Sequence, residues 1–158
     1  MRDPPLCELQ MTTPNTNDGY AREVVLTRVG HLIRRKQREI ERITRILRAG
    51  FDPDQVQAPE PGTIRPIILI GPYAWRSWYE DRKTLGFSDY EFWVVVNRPP
   101  FVDERCWQRA RDVVGSELDD RCTVDLEIYS KADIRIAKAE RDTFILDRIE
   151  AGRIPKPI

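Results

Sequence analysis

Three short apolar runs set the architecture open to this chain: Ile67–Ile70, Tyr90 to Asn97, and Thr123 to Tyr129. Each is short and rich in β-branched or aromatic residues, and each precedes a stretch with helical spacing, which predicts strands alternating with helices. Ile67–Ile70 ends at Gly71, and Pro72 to Tyr79 reads as a short helix. In the second run Tyr90, Phe92, Val94 and Val96 share one face, while Asp89, Glu91, Trp93 and Val95 share the other. Pro99 and Pro100 end it, and residues 102–118 read as a helix with Trp107, Ala110, Val113 and Val114 along its apolar stripe. In the third run Val124, Leu126 and Ile128 form the apolar face, and Thr123, Asp125, Glu127 and Tyr129 the polar one. Ser130 followed by Asp133 has the spacing of a capping box and opens a last helix. Ile134, Ala137, Phe144, Ile145 and Ile149 line that helix, and Gly152 stops it.

A further helix precedes the first strand. From Glu23 to Ala49 the pattern is helical, with Ile33, Ile40, Ile43 and Leu47 on one stripe and Gly50 as the stop signal. Its other faces carry Arg34, Arg35, Lys36, Arg38, Arg42, Arg45 and Arg48, offset only in part by Glu39 and Glu41. Such a face reads first as a solvated surface with local ion pairs, and second as a weak signal for nucleic acid. Residues 52–66 hold five prolines and glycines in all and read as a linker; residues 80–88 read as a loop. Residues 1–22 are expected to be a flexible tail and 23–158 a single domain. The element order predicts an α/β fold: one small mixed β-sheet flanked by helices.

Composition narrows the chemistry. His31 is the single histidine, so a metal site built on two histidines is impossible, and His31 would have to serve any Ser–His or Cys–His pair. Cys7, Cys106 and Cys122 are far apart and odd in number, which argues against a disulfide framework and fits the cytoplasm. The 26 basic and 26 acidic residues cancel, so net charge gives no overall pull toward nucleic acid or membrane. No apolar run reaches the roughly 18 residues of a membrane span, and the N-terminus lacks a signal-peptide apolar region.

Three features together carry chemistry. Gly71, between a buried strand and a helix, lets a phosphate approach free amide groups. Asp89 and Glu91, two residues apart on a strand, point to one face with Cα atoms roughly 6.6 Å apart and suit a shared divalent cation. Asp125, on the polar face of the next strand, can converge on that cation if the strands are neighbours. With Mg²⁺ such a cluster fits phosphoryl transfer. Taken singly, the same carboxylates also suit a solvent-facing strand edge.

Gly71-Pro72-Tyr73-Ala74-Trp75-Arg76, then Ser88-Asp89-Tyr90-Glu91-Phe92, then Thr123-Val124-Asp125-Leu126, resemble the nucleotidyltransferase domain of the DNA polymerase β-like superfamily. The resemblance is to its minimal members, which are often fused to or encoded beside a helical HEPN domain, and it covers roughly residues 29–152. It implies a nucleotidyltransferase-like fold with Asp89, Glu91 and Asp125 as catalytic and metal-binding residues. Gly71, Pro72, Arg76 and Ser88 would bind the nucleotide. It also implies Mg²⁺ (or Mn²⁺) as cofactor, a nucleoside triphosphate as substrate, and a HEPN-domain protein as a possible partner in a toxin–antitoxin pair. The chain departs from the family pattern at three places. Pro72 stands where the family has Ser and removes both a hydroxyl and an N–H. Arg76 stands where it has a second Gly, and Glu91 where it has Asp. Two readings therefore stay open: a transferase with weakened activity, and a degenerate antitoxin or regulatory partner.

Overall fold

A computed structural model describes residues 29–81, 83–84, 86–118 and 123–146. The expected tail over 1–22, the first part of the leading helix, and Ile149 and Gly152 lie outside the described residues, as do Cys7 and Cys122. In chain order the elements are α1 (Arg34–Gly50), β1 (Ile64–Ile70), α2 (Gly71–Trp75), β2 (Glu80–Asp81), β3 (Gly86–Phe87), β4 (Tyr90–Val96), α3 (Gln108–Glu117), β5 (Val124–Ser130) and α4 (Lys131–Glu140). The fold is α/β, a small mixed sheet flanked by helices, as the element order predicts.

The main sheet has the order β1–β4–β5. β4 is central; it runs antiparallel to β1 and parallel to β5. Its burial explains its composition, since all of its residues except Glu91 are buried. The two faces alternate as the sequence reads. On one, Ile67, Leu69, Phe92, Val94, Val96 and Leu126 pack against Ile40, Ile43 and Leu47 of α1 and Ala110 and Val114 of α3. On the other, Ile68, Ile70 and Trp93 form a smaller cluster with Tyr129 and Ile145. The parallel β4–β5 link needs a crossover, and α3 supplies it. α4 opens on the expected capping box: the Asp133 N–H donates to Ser130 Oγ at 3.2 Å, and the Ser130 N–H donates to Asp133 Oδ2 at 2.7 Å.

Several local expectations change. Ile33 is not on the buried stripe of α1: it is 52% exposed, in extended backbone that precedes the first turn. Lys36 takes that position, four residues before Ile40, and is 1% exposed. Gly50 does not end α1 by a left-handed turn but closes it as the last helical residue. A Cβ there would meet the Ala110 backbone at 2.5 Å, so the glycine lets α1 and α3 touch. The strand β1 begins three residues before Ile67 and includes Pro66, which sits in a register irregularity of an edge strand where a missing N–H is tolerated. Residues 80–88 hold the β2–β3 hairpin instead of a plain loop. The helix expected over 72–79 stops at Trp75, because Arg76 turns left-handed. Likewise the last helix breaks at Arg141 (φ 54°), and Phe144 is left 57% exposed. The stretch 102–107 is built from short 3₁₀ turns, and α3 starts only at Gln108. Cys106 is buried in the core, where burial pushes its thiol pKa up and makes it a packing group, not a nucleophile.

Candidate functional site

The residues singled out by sequence gather at one end of the sheet, where β1 ends and β4 and β5 begin. Register places them. Ile70 of β1 pairs with Glu91 of β4, and Glu91 pairs with Asp125 of β5. In a parallel pair, partners in register project to the same face, so Glu91 and Asp125 stand side by side on the face opposite α1 and α3. Asp89 lies just before β4 and is exposed. The start of β4 is tied to the lead-in of β5 by the Tyr90 N–H, which donates to the Thr123 carbonyl at 2.8 Å.

Gly71 opens α2 directly beside these carboxylates. It has φ 68°, in the left-handed region that favours glycine. A Cβ on Gly71 would lie 2.5 Å from Cδ of Glu91 and 2.5 Å from its Oε1, so the Glu91 carboxylate rests on the bare Cα. Pro72 follows in the first turn, where its missing N–H is least costly. Its carbonyl accepts from the Ser77 N–H at 3.0 Å. Arg76 (φ 63°) caps the short helix from an exposed position. Ser88 is buried, and its hydroxyl accepts from the Tyr79 N–H at 2.9 Å. Its backbone N–H donates to the Tyr79 carbonyl at 3.1 Å. Ser88 thus fastens the hairpin to the start of β4.

A buried ionic cluster, unread in the sequence, supports this end of the molecule from the other face. The Lys36 ammonium lies 5.3 Å from the Tyr73 ring centroid and 5.2 Å from that of Tyr90. These rings stack on each other at 4.2 Å, and Tyr73 also stacks on Trp78 at 5.6 Å. Lys36 Nζ donates to Glu39 Oε2 at 2.9 Å and lies 3.6 Å from Glu80 Oε2. The Tyr90 hydroxyl donates to Glu39, and Arg35 pairs with Glu80. Burial alone would push the Lys36 pKa down, but the hydrogen bond to Glu39, the neighbouring Tyr73 and the Glu39 charge carry it above the ordinary lysine value. The Nε2–H of His31 donates to the Tyr73 carbonyl at 2.7 Å, since a carbonyl can only accept. Tyr73 is therefore locked by its ring and its backbone, and it anchors α2 to the first residue of β4. The readable signal is spacing: Lys36 continues the four-three-four rhythm of Ile40, Ile43 and Leu47.

The metal that the family resemblance implies finds only part of a site at these positions. Glu91 and Asp125 suit a pair of oxygen ligands on one face. Among the described residues, however, no group of three His, Cys, Asp or Glu side chains is placed to hold a metal ion. As arranged, Asp89 does not complete a triad with Glu91 and Asp125. No helix among the described residues is long and apolar enough to cross a membrane. Compared with models of known families, with curated proteins and with solved structures, the chain gives no match.

Proposed function

We propose that this chain is a nucleotidyltransferase-like domain with weakened catalysis: Mg²⁺-dependent transfer of a nucleoside monophosphate from a triphosphate to an acceptor hydroxyl. The observation that supports it is the gathering of Gly71, Glu91 and Asp125 at one end of one sheet face. A glycine there gives a triphosphate access to backbone, and neighbouring carboxylates suit a cation that screens phosphate charge. In this reading Glu91 and Asp125 face the reacting phosphate, Asp89 closes on it when nucleotide binds, and the exposed Arg76 reaches a phosphate oxygen. Activity is weakened because Pro72 offers neither hydroxyl nor N–H, and because Glu91 covers the Gly71 Cα in the resting arrangement. The test incubates purified protein with labelled ATP, GTP, CTP and UTP, Mg²⁺ or Mn²⁺, and candidate protein acceptors, including a HEPN-domain partner. Transfer that vanishes in Asp89→Ala supports the reading; none above that control overturns it.

One observation favours a second reading, a degenerate domain that serves as an antitoxin or regulatory partner of a HEPN-type protein. The Glu91 carboxylate puts negative charge where a phosphate would approach Gly71. Calorimetry with Mg²⁺-ATP separates the two, since metal-dependent binding lost in Asp89→Ala excludes the degenerate domain. Pro72→Ser with Glu91→Asp adds a further arm: a gain in transfer identifies a decayed enzyme.

A further inference from the structure

We propose that the outward face of α1 binds nucleic acid through its phosphates, with Arg34, Arg38 and Arg45 as the contacts. α1 carries seven basic side chains against two acidic ones, although the whole chain is neutral, so the positive charge is segregated on this helix. The fold sorts these side chains. Lys36 is buried among Glu39, Glu80 and two tyrosine rings. Arg35 pairs with Glu80, and Arg42 with Glu117 of α3 at 2.9 Å. Acidic groups of neighbouring elements thus neutralise the flanks of α1. None of them reaches Arg34, Arg38 or Arg45, which are exposed and, among the described residues, have no acidic partner.

At 100° per residue these three fall on one stripe, opposite Ile40, Ile43 and Leu47; Glu41 lies at the edge of that stripe and leaves the four residues with a net positive charge. From Arg34 to Arg45 the stripe runs roughly 16 Å at about 1.5 Å per residue. A duplex offers one phosphate per about 1.7 Å of axis, so about ten lie along that length. Each guanidinium presents a planar fork that matches two phosphate oxygens, and the rigid helix fixes their spacing at little entropic cost. The contact proposed is to the phosphate backbone and independent of sequence, so duplexes of different sequence should bind alike. The surface is separate from Gly71, Glu91 and Asp125, and it stands whether or not nucleotide transfer occurs.

The experiment is fluorescence anisotropy with the full chain and a labelled 20-base-pair DNA duplex or 20-nucleotide RNA, between 50 and 200 mM KCl. Three phosphate contacts predict that log K falls against log salt with a slope near −2.7 for duplex and near −2 for single strands. Arg34→Gln/Arg38→Gln/Arg45→Gln should weaken binding about tenfold or more and flatten the slope, while Arg38→Gln alone should reduce it by about 1. Arg109→Gln/Arg135→Gln/Lys138→Gln, at exposed positions of α3 and α4, is the charge-matched control and should leave binding within about twofold. The proposal fails if wild type does not bind at 50 mM KCl, if the slope is flat, or if the triple variant binds like wild type. It also fails if the control weakens binding equally, or if polyglutamate competes as well as nucleic acid, which would identify an acidic protein as the partner.

Discussion

The carboxylate of Glu91 fills the space that a side chain on Gly71 would need, with Cδ 2.5 Å from the ideal Cβ position. Two costs would follow from Gly71→Ala. The left-handed backbone at φ 68° costs an alanine about 1–2 kcal/mol. The overlap is with the far end of a flexible side chain, so Glu91 can swing away at lower cost. We expect a loss of about 2 kcal/mol, read by urea unfolding. In a Glu91→Ala background the loss should fall but stay near 1 kcal/mol, because the backbone share remains. A substitution that is neutral in both backgrounds would contradict the left-handed geometry at Gly71.

Lys36 is the one cation wholly enclosed among the described residues of α1, between the Tyr73 and Tyr90 rings and beside Glu39. Lys36→Met keeps the apolar stem but strands Glu39 in a half-buried setting, so a loss of about 3 kcal/mol is expected. Glu39→Gln in the same chain should recover part of it, because the stranded charge disappears. The pH dependence has a fixed sign. A lysine pKa raised in the folded state stabilises fully below its unfolded value of about 10.4. That contribution disappears as pH climbs through the folded value. Chemical unfolding of wild type against Lys36→Met from pH 8 to pH 11 should therefore show their difference narrowing only at the alkaline end.

Gly50 shows how a correct sequence signal can carry the wrong cause. A glycine after an apolar stripe reads as a helix stop. In the structure it is the last helical residue, and it is small because the Ala110 Cα would lie 2.5 Å from its Cβ. Helix propensity alone would make Gly50→Ala stabilising by about 1 kcal/mol. The overlap is with backbone of α3, which cannot rotate away, and overpacking of that kind costs about 1–3 kcal/mol. The net expectation is destabilisation of about 1 kcal/mol, measured as a lower thermal midpoint.

The strand faces were legible because alternation has a strict period: Tyr90, Phe92, Val94 and Val96 all pack on the helix side. The Ser130–Asp133 cap was legible because both partners are local in sequence. Glu91 beside Asp125 was legible in type but rested on strand adjacency, which only the register supplies. What was not legible depends on distant partners. Lys36 looks like a surface residue until Glu39, Glu80 and the two tyrosines surround it, and Ile33 looks like core until the backbone before α1 turns out to be extended. Ser88 has the position of a nucleotide ligand in the family resemblance, and its hydroxyl is held by Tyr79, nine residues away.

Arg76 stands where the family pattern has glycine, and its backbone keeps the geometry that a glycine would serve. With φ 63° and ψ 22° it is a left-handed cap, and its N–H closes α2 on the Pro72 carbonyl. A left-handed L-residue costs about 1–2 kcal/mol, and glycine avoids that while adding about 0.5–1 kcal/mol of chain entropy. The balance favours Arg76→Gly by about 0.5–1 kcal/mol, or about 2–4 °C in thermal midpoint per kcal/mol for a chain of this size. If Arg76 also meets a phosphate, the same variant should bind Mg²⁺-ATP several-fold more weakly while melting higher. That opposition separates a binding residue, which exchanges stability for contact, from one that is merely strained. Calorimetry and a thermal melt on one preparation read both; a variant that is more stable and binds ATP unchanged would remove Arg76 from the nucleotide site.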